Sequence, residues 1–186
     1  MGRFKEALKQ YQYLFFELKR MNNTRWWRWI NCWFSPSFWG IASYRIERSF
    51  FLIFGSGWSV LRVFLSPIFF VLAPWFGQVE IHYRANISKG LIVLHPSLGV
   101  VINGNAIIGE NLTLTGGNCI GGRSKLKPGD LVLGNNITLG ANAVLLGPIK
   151  LGNNIQIGAG AVVIDNAPDS SILVGVPAIN KVKTNR

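Results

Sequence analysis

The 186-residue chain is 49% hydrophobic and 15% charged, which excludes a disordered protein, and its 21 glycines follow no Gly-X-Y period, which excludes collagen. Two cysteines (Cys32, Cys119) and two histidines (His82, His95) make neither a disulfide framework nor a metal-ligand pattern, so no metal is expected. The net charge of +11 is uneven: residues 1–78 carry ten Lys/Arg, three Asp/Glu and all seven tryptophans, whereas residues 79–186 carry nine, five and none. The chain therefore reads as two units, 1–78 and 79–186.

Within the first unit, Tyr11 to Leu18 is aromatic and apolar between basic flanks, and Arg25-Trp26-Trp27-Arg28-Trp29 follows. Indole rings suit the headgroup level of a bilayer, and guanidinium groups pair with lipid phosphate. Two apolar runs come next, Phe50 to Leu61 and Val63 to Phe76, separated by Arg62, with Pro67 and Pro74 in the second. A spanning helix needs roughly 20 apolar residues. Each run is shorter, so helices lying in or dipping into one leaflet are favoured over a full span. The expected partner is an anionic membrane surface, at the cytoplasmic face of a bacterial inner membrane. The rival is a helical cap whose tryptophans pack on the second unit or on neighbouring subunits. Nucleic acid is not expected, because the basic residues sit among large aliphatics.

The second unit repeats. Aliphatic residues recur every six positions at Ile81, Ile87 and Val93, again at Ile102, Ile108, Leu114 and Ile120, and again from Leu133 through Leu139, Leu145, Leu151 and Ile157 to Val163. Small or aliphatic residues fall four later, at Ile137, Ala143, Ile149, Ile155 and Ala161. Period six fits neither an amphipathic helix nor a two-sided sheet. It fits a triangular coil with one short strand per side, whose stacking buries a continuous column: a parallel β-solenoid from about Ile81 to Ile164. Glycine and asparagine at the corners tolerate left-handed backbone angles. The phase breaks twice, with nine residues from Val93 to Ile102 and thirteen from Ile120 to Leu133. Inserted residues bulge out as loops, where function is commonly placed. The first break holds His95, and the second is the polar stretch Gly121 to Asp130.

Three segments carry a family resemblance: Gly90-Leu91-Ile92-Val93-Leu94-His95-Pro96, Ile120-Gly121-Gly122 and Val174-Gly175-Val176-Pro177-Ala178. Together with the hexads they resemble the left-handed β-helix acyltransferases, and from Glu80 to Val182 most of all the serine O-acetyltransferase branch. The resemblance implies a mainly β fold, a left-handed parallel β-helix preceded by an α-helical segment. It also implies an acetyl-CoA-dependent homotrimer with active sites between subunits.

A histidine within reach of an alcohol can take its proton as the oxygen attacks a thioester. His95 is the candidate base. The family places an aspartate fifteen residues before its histidine, and Glu80 stands at that distance from His95, so a Glu80–His95 dyad is expected. Asp130 falls nearest to the family's second histidine, and Leu94 stands where the family has an aspartate. Coenzyme A would lie along small-residue corners at Gly121, Gly122, Gly140, Ala141, Gly158 and Ala159. Lys181 and Lys183 would meet its phosphates, and Lys150 less so. His82 has no motif of its own.

The tryptophan-rich segment, joined to such a domain, is similar to membrane-associated polysaccharide O-acetyltransferases. The expected reaction is therefore acetyl transfer to a saccharide hydroxyl, free or lipid-linked. The alternatives are a serine O-acetyltransferase and a non-catalytic membrane-bound β-helix scaffold.

Overall fold

The computed structural model describes residues 2–22, 30, 33–72 and 78–181. The Arg25–Trp29 motif, residues 73–76 of the second apolar run and Lys183 lie outside them. Two-residue to five-residue strands wind through three parallel sheets. The first sheet has the order β1 (Val79–Ile81), β4 (Val100–Ile102), β7 (Asn118–Gly122), β10 (Val144–Gly147) and β13 (Val162–Val163). The second stacks β2 (Asn86–Ile87), β5 (Ala106–Ile108), β8 (Leu131–Leu133) and β11 (Ile149–Leu151). The third stacks β3 (Ile92–Val93), β6 (Thr113–Leu114), β9 (Thr138–Leu139), β12 (Gln156–Ile157) and β14 (Ile172–Val174). A last strand, β15 (Ile179–Asn180), pairs antiparallel with β14. This is the solenoid read from the hexads, extended past Ile164. Each inward hexad residue from Ile87 to Val163 is buried in one column, while Ile81 in the entry coil is half-buried.

The register shows what each phase break does. Undisturbed coils pair at a step of 18 residues, as Val100 with Asn118 and Val144 with Val162. Val79 pairs with Val100, so the loop at His95 adds three residues, as the sequence spacing indicates. Cys119 pairs with Val144, a step of 25. The second insertion therefore adds seven residues at one corner, and not the single residue that counting thirteen against twelve suggests. Leu126 lies near hexad phase but belongs to no strand.

Left-handed corners are held by an asparagine ladder. Asn111, Asn136 and Asn154 have φ of 61°, 56° and 56°, and each side-chain amide donates to the next carbonyl oxygen, at 2.9 Å and 3.0 Å. Asparagine tolerates this backbone region better than other side-chain-bearing residues do.

Ahead of the solenoid run the helices α1 (Gly2–Asn22), α2 (Pro36–Phe54) and α3 (Ser56–Leu72). Pro36 suits a first helical turn, where its missing N–H breaks no bond. Gly55, with φ 59°, ends α2 and donates its N–H to Phe51 O. α1 packs antiparallel on α2, and both dock on the first coil. Arg45 is 0% exposed and binds the Glu17 carboxylate, Gln10 Oε1 at 3.0 Å, Ile87 O at 2.7 Å and Ser88 O at 2.8 Å. Glu17 Oε1 in turn accepts the Leu91 N–H at 3.0 Å. Tyr44 Oη donates to Ala85 O at 2.9 Å and accepts the Ile87 N–H at 3.2 Å. Among the described residues no helix is long and apolar enough to cross a membrane.

Candidate functional site

His95 leaves the solenoid just after β3. Its backbone N–H still donates to Thr115 O at 2.9 Å, and the chain then makes a short 3-10 turn at Pro96–Leu98, closed by Leu98 N–H on His95 O at 3.3 Å. Gly116 sits in the next coil with φ 135°, and a Cβ there would collide with the His95 carbonyl oxygen. The corner of that next coil therefore requires glycine. From the helical side, Ser37 Oγ donates to Val93 O at 2.8 Å, two residues before His95. The imidazole is exposed, and Leu94 and Leu98 beside it are each 52% exposed. The histidine is thus offered to solvent on a backbone pinned from both sides.

The corner that carries His95 continues upward as a file of small residues, because each coil turns there from the third sheet to the first. Gly116 and Gly117 come one coil on, Gly140 and Ala141 next, and Gly158 and Ala159 after them. A Cβ on Gly140 would meet the backbone of Gly158 and Ala159, so successive coils approach closely at this vertex. Four of the residues expected to line a coenzyme groove therefore share one vertex with His95. Gly116 and Gly117 belong to it too, and sequence reasoning passed them over. A glycine pair at a hexad corner was the available signal.

Glu80 lies mid-strand in β1, exposed on the outward face of the first sheet. It heads an outward row that continues through Val101, Cys119, Val144 and Val162. Among the described residues no hydrogen bond joins Glu80 to His95. The titrating group that senses Glu80 is His82, two residues on. Burial pushes the His82 pKa down, Arg84 and Arg62 push it further, and Glu80 opposes them. His82 Nδ1 accepts the Arg84 N–H at 3.1 Å, and its ring stacks on Tyr83 at 4.5 Å. His82 has local structural work there.

Gly121 and Gly122 end β7, and the inserted loop folds back on its own coil. Leu126 is buried against Gly122 and Gly147, its carbonyl accepts from Asn105 Nδ2 at 3.0 Å, and Arg123 N–H donates to Gly147 O at 3.0 Å. Asp130 Oδ2 accepts the Lys127 N–H at 2.7 Å, and Asp130 N–H returns to Lys127 O at 3.1 Å, so this carboxylate closes a turn. The first sheet is parallel. His95 precedes β4 and the loop follows β7, so within one chain they stand at opposite ends of that sheet's strands. Lys181 is exposed just past β15, its N–H bonded to Ile172 O at 2.7 Å. Lys150 is exposed on the outward face of β11.

No protein-family model matches the chain, and no curated protein matches it. Solved structures do. A serine acetyltransferase of Neisseria gonorrhoeae in complex with serine is 29% identical with a TM-score of 0.74, over 96% of this chain and 73% of that one. A serine acetyltransferase in complex with CoA is 20% identical with a TM-score of 0.75, over 97% and 73%. The serine acetyltransferase of Brucella abortus strain S19 is 20% identical with a TM-score of 0.77, over 99% and 75%. The solenoid and its helical segment together thus match the fold of left-handed β-helix acyltransferases.

Proposed function

We propose that this protein is an acetyl-CoA-dependent O-acetyltransferase with His95 as general base. The observation that carries the reading is the exposed imidazole on a looped-out corner, at the foot of a vertex whose small residues let an extended thioester approach the backbone. His95 would take the proton of an acceptor hydroxyl as its oxygen attacks the acetyl carbonyl. The carbon–sulfur bond then breaks, and the thiolate of coenzyme A leaves and takes up the proton held on the imidazolium. Gly140, Ala141, Gly158 and Ala159 would border the coenzyme, with Gly121 and Gly122 at the loop and Lys181 meeting phosphate. A neighbour solved with CoA supports that co-substrate.

The proposed assembly is a homotrimer. Val101, Cys119, Val144 and Val162 give the first sheet an apolar outward row suited to burial. Packing one chain's His95 edge near another's inserted loop would bring together residues that a single chain holds apart. A Glu80–His95 dyad remains the proposed means of orienting the base. Asp130 would join the site only by giving up its turn.

For the acceptor, the Neisseria structure with serine favours serine over a saccharide. The saccharide reading keeps one specific support, the exposed Leu94 and Leu98 flanking His95, which provide no charge to pair with an amino acid's own charged groups. Purified protein assayed with acetyl-CoA and free serine, against saccharide acceptors, separates the two by which one releases coenzyme A. His95→Ala should lower the rate by about 10²-fold to 10⁴-fold with acetyl-CoA binding intact. Transfer at the parental rate would remove His95 from the base role. Failure to bind acetyl-CoA would favour a scaffold.

A further inference from the structure

α1 carries a second apolar face besides the one it packs on α2 and the solenoid. Its inward side buries Ala7, Gln10 and Glu17 and packs Leu14, Leu18 and Met21 on the apolar clusters. Its outer side shows Phe4, Leu8, Tyr11 and Phe15 at spacings of four, three and four, one stripe of the helix, with Phe4 60% and Phe15 62% exposed. Arg3 reaches Gly55 at the α2–α3 junction, and Ile53 and Phe54 just before that junction are exposed too. A helix that only capped the solenoid would need no second apolar stripe.

The charges around this stripe select what covers it. All three acids of residues 1–78 are engaged: Glu6 with Lys9, Glu17 with Arg45 and Glu47 with Arg62. Lys5 and Lys19, exposed on α1, have no acidic partner among the described residues. An apolar stripe edged by unneutralised lysines is complementary to a surface that is apolar beneath and anionic on top. A second copy docking stripe to stripe would bring like charges together.

We propose that α1 lies on an anionic lipid bilayer, inserting the Phe4–Phe15 stripe to acyl depth while the lysines meet headgroup phosphates. The attachment is peripheral and independent of which hydroxyl is acetylated. It also moves the expected membrane contact from the long apolar runs toward the first helix.

The test is sedimentation of full-length protein with vesicles of phosphatidylcholine alone or mixed with phosphatidylglycerol. Binding to the anionic vesicles should be about tenfold stronger, and should weaken as salt rises. The double variant Phe4→Ser/Leu8→Ser should lose about tenfold or more, and Lys5→Glu/Lys19→Glu a similar amount, with unchanged melting temperature and unchanged transfer to a soluble acceptor. Parental protein that stays in the supernatant with anionic vesicles overturns the proposal, as do stripe variants that bind like the parent. So does a stripe variant that lowers the assembly mass in lipid-free sedimentation velocity while keeping its vesicle binding, since the stripe then faces another copy. Loss of activity with vesicle binding retained would count against the acetyltransferase reading alone.

Discussion

Arg45 shows how much one side chain decides. Its guanidinium sits between α1, α2 and the first coil, and its donors reach the Glu17 carboxylate, Gln10 and two solenoid carbonyls. Burial pushes the Glu17 carboxyl pKa up, while Arg45 and the Leu91 and Gly90 N–H groups pull it back down. Removing one partner leaves a buried charge without compensation, so Arg45→Met should cost about 3–5 kcal/mol in a urea titration. Nothing local in the sequence announces this pair. The partners are 28 residues apart, and an arginine in an aromatic helix reads equally well as a headgroup ligand. His82 supports a second expectation. Its folded pKa is lowered, chiefly by burial, so the unfolded chain binds the proton more readily. Stability is therefore fully present above the unfolded value and falls as pH drops through it toward the folded value. Denaturation at pH ~7.5 and ~5.5 should show a larger acid loss for the parent than for His82→Gln, around the usual histidine pKa of ~6.5.

At the scale of the element, the regular strands were legible and the second insertion was not. A six-residue period needs only the identity of inward residues, and every one from Ile87 onward is buried. The insertion deceived because Leu126 lies in near-phase while packing sideways on Gly122 and Gly147. Hydrophobicity alone does not say which wall a leucine faces. The same ambiguity affects Asp130, whose carboxylate serves a turn within the chain. Leu126 is the loop's main apolar anchor among the described residues. Leu126→Ala should free it, so that trypsin cuts after Arg123 and Lys125 much faster than in the parent. Mass spectrometry of timed digests would show this, and unchanged digestion would mean that the hydrogen bonds of Arg123 and Asn105 hold the loop alone. His95 was legible for the opposite reason: its loop adds three residues, and no aliphatic among them keeps the hexad phase to disguise the break.

For the whole molecule, the helical segment and the first coil are one packing unit. Ile41 and Tyr44 belong to the same apolar cluster as Ile87, Leu91 and Val93, and Leu14 packs against it. Removing residues 1–78 would uncover that end of the column and leave the Leu91 N–H without its acceptor. The truncated protein should therefore unfold at clearly lower denaturant or precipitate. A soluble truncation as stable as the parent would show that the solenoid stands without its cap. The two-unit reading of the sequence caught the change in composition at residue 78, but not the bonds crossing it, because polar contacts between distant segments leave no periodic trace. The opposite end has its own closure. β15 runs antiparallel to β14, so the last strand of the third sheet has a polarity opposite to every other strand of the solenoid. An open column of parallel coils would otherwise be a template for adding further coils from another molecule. On that sheet, the reversed strand denies an incoming parallel coil its register, and so works against end-to-end growth into fibres.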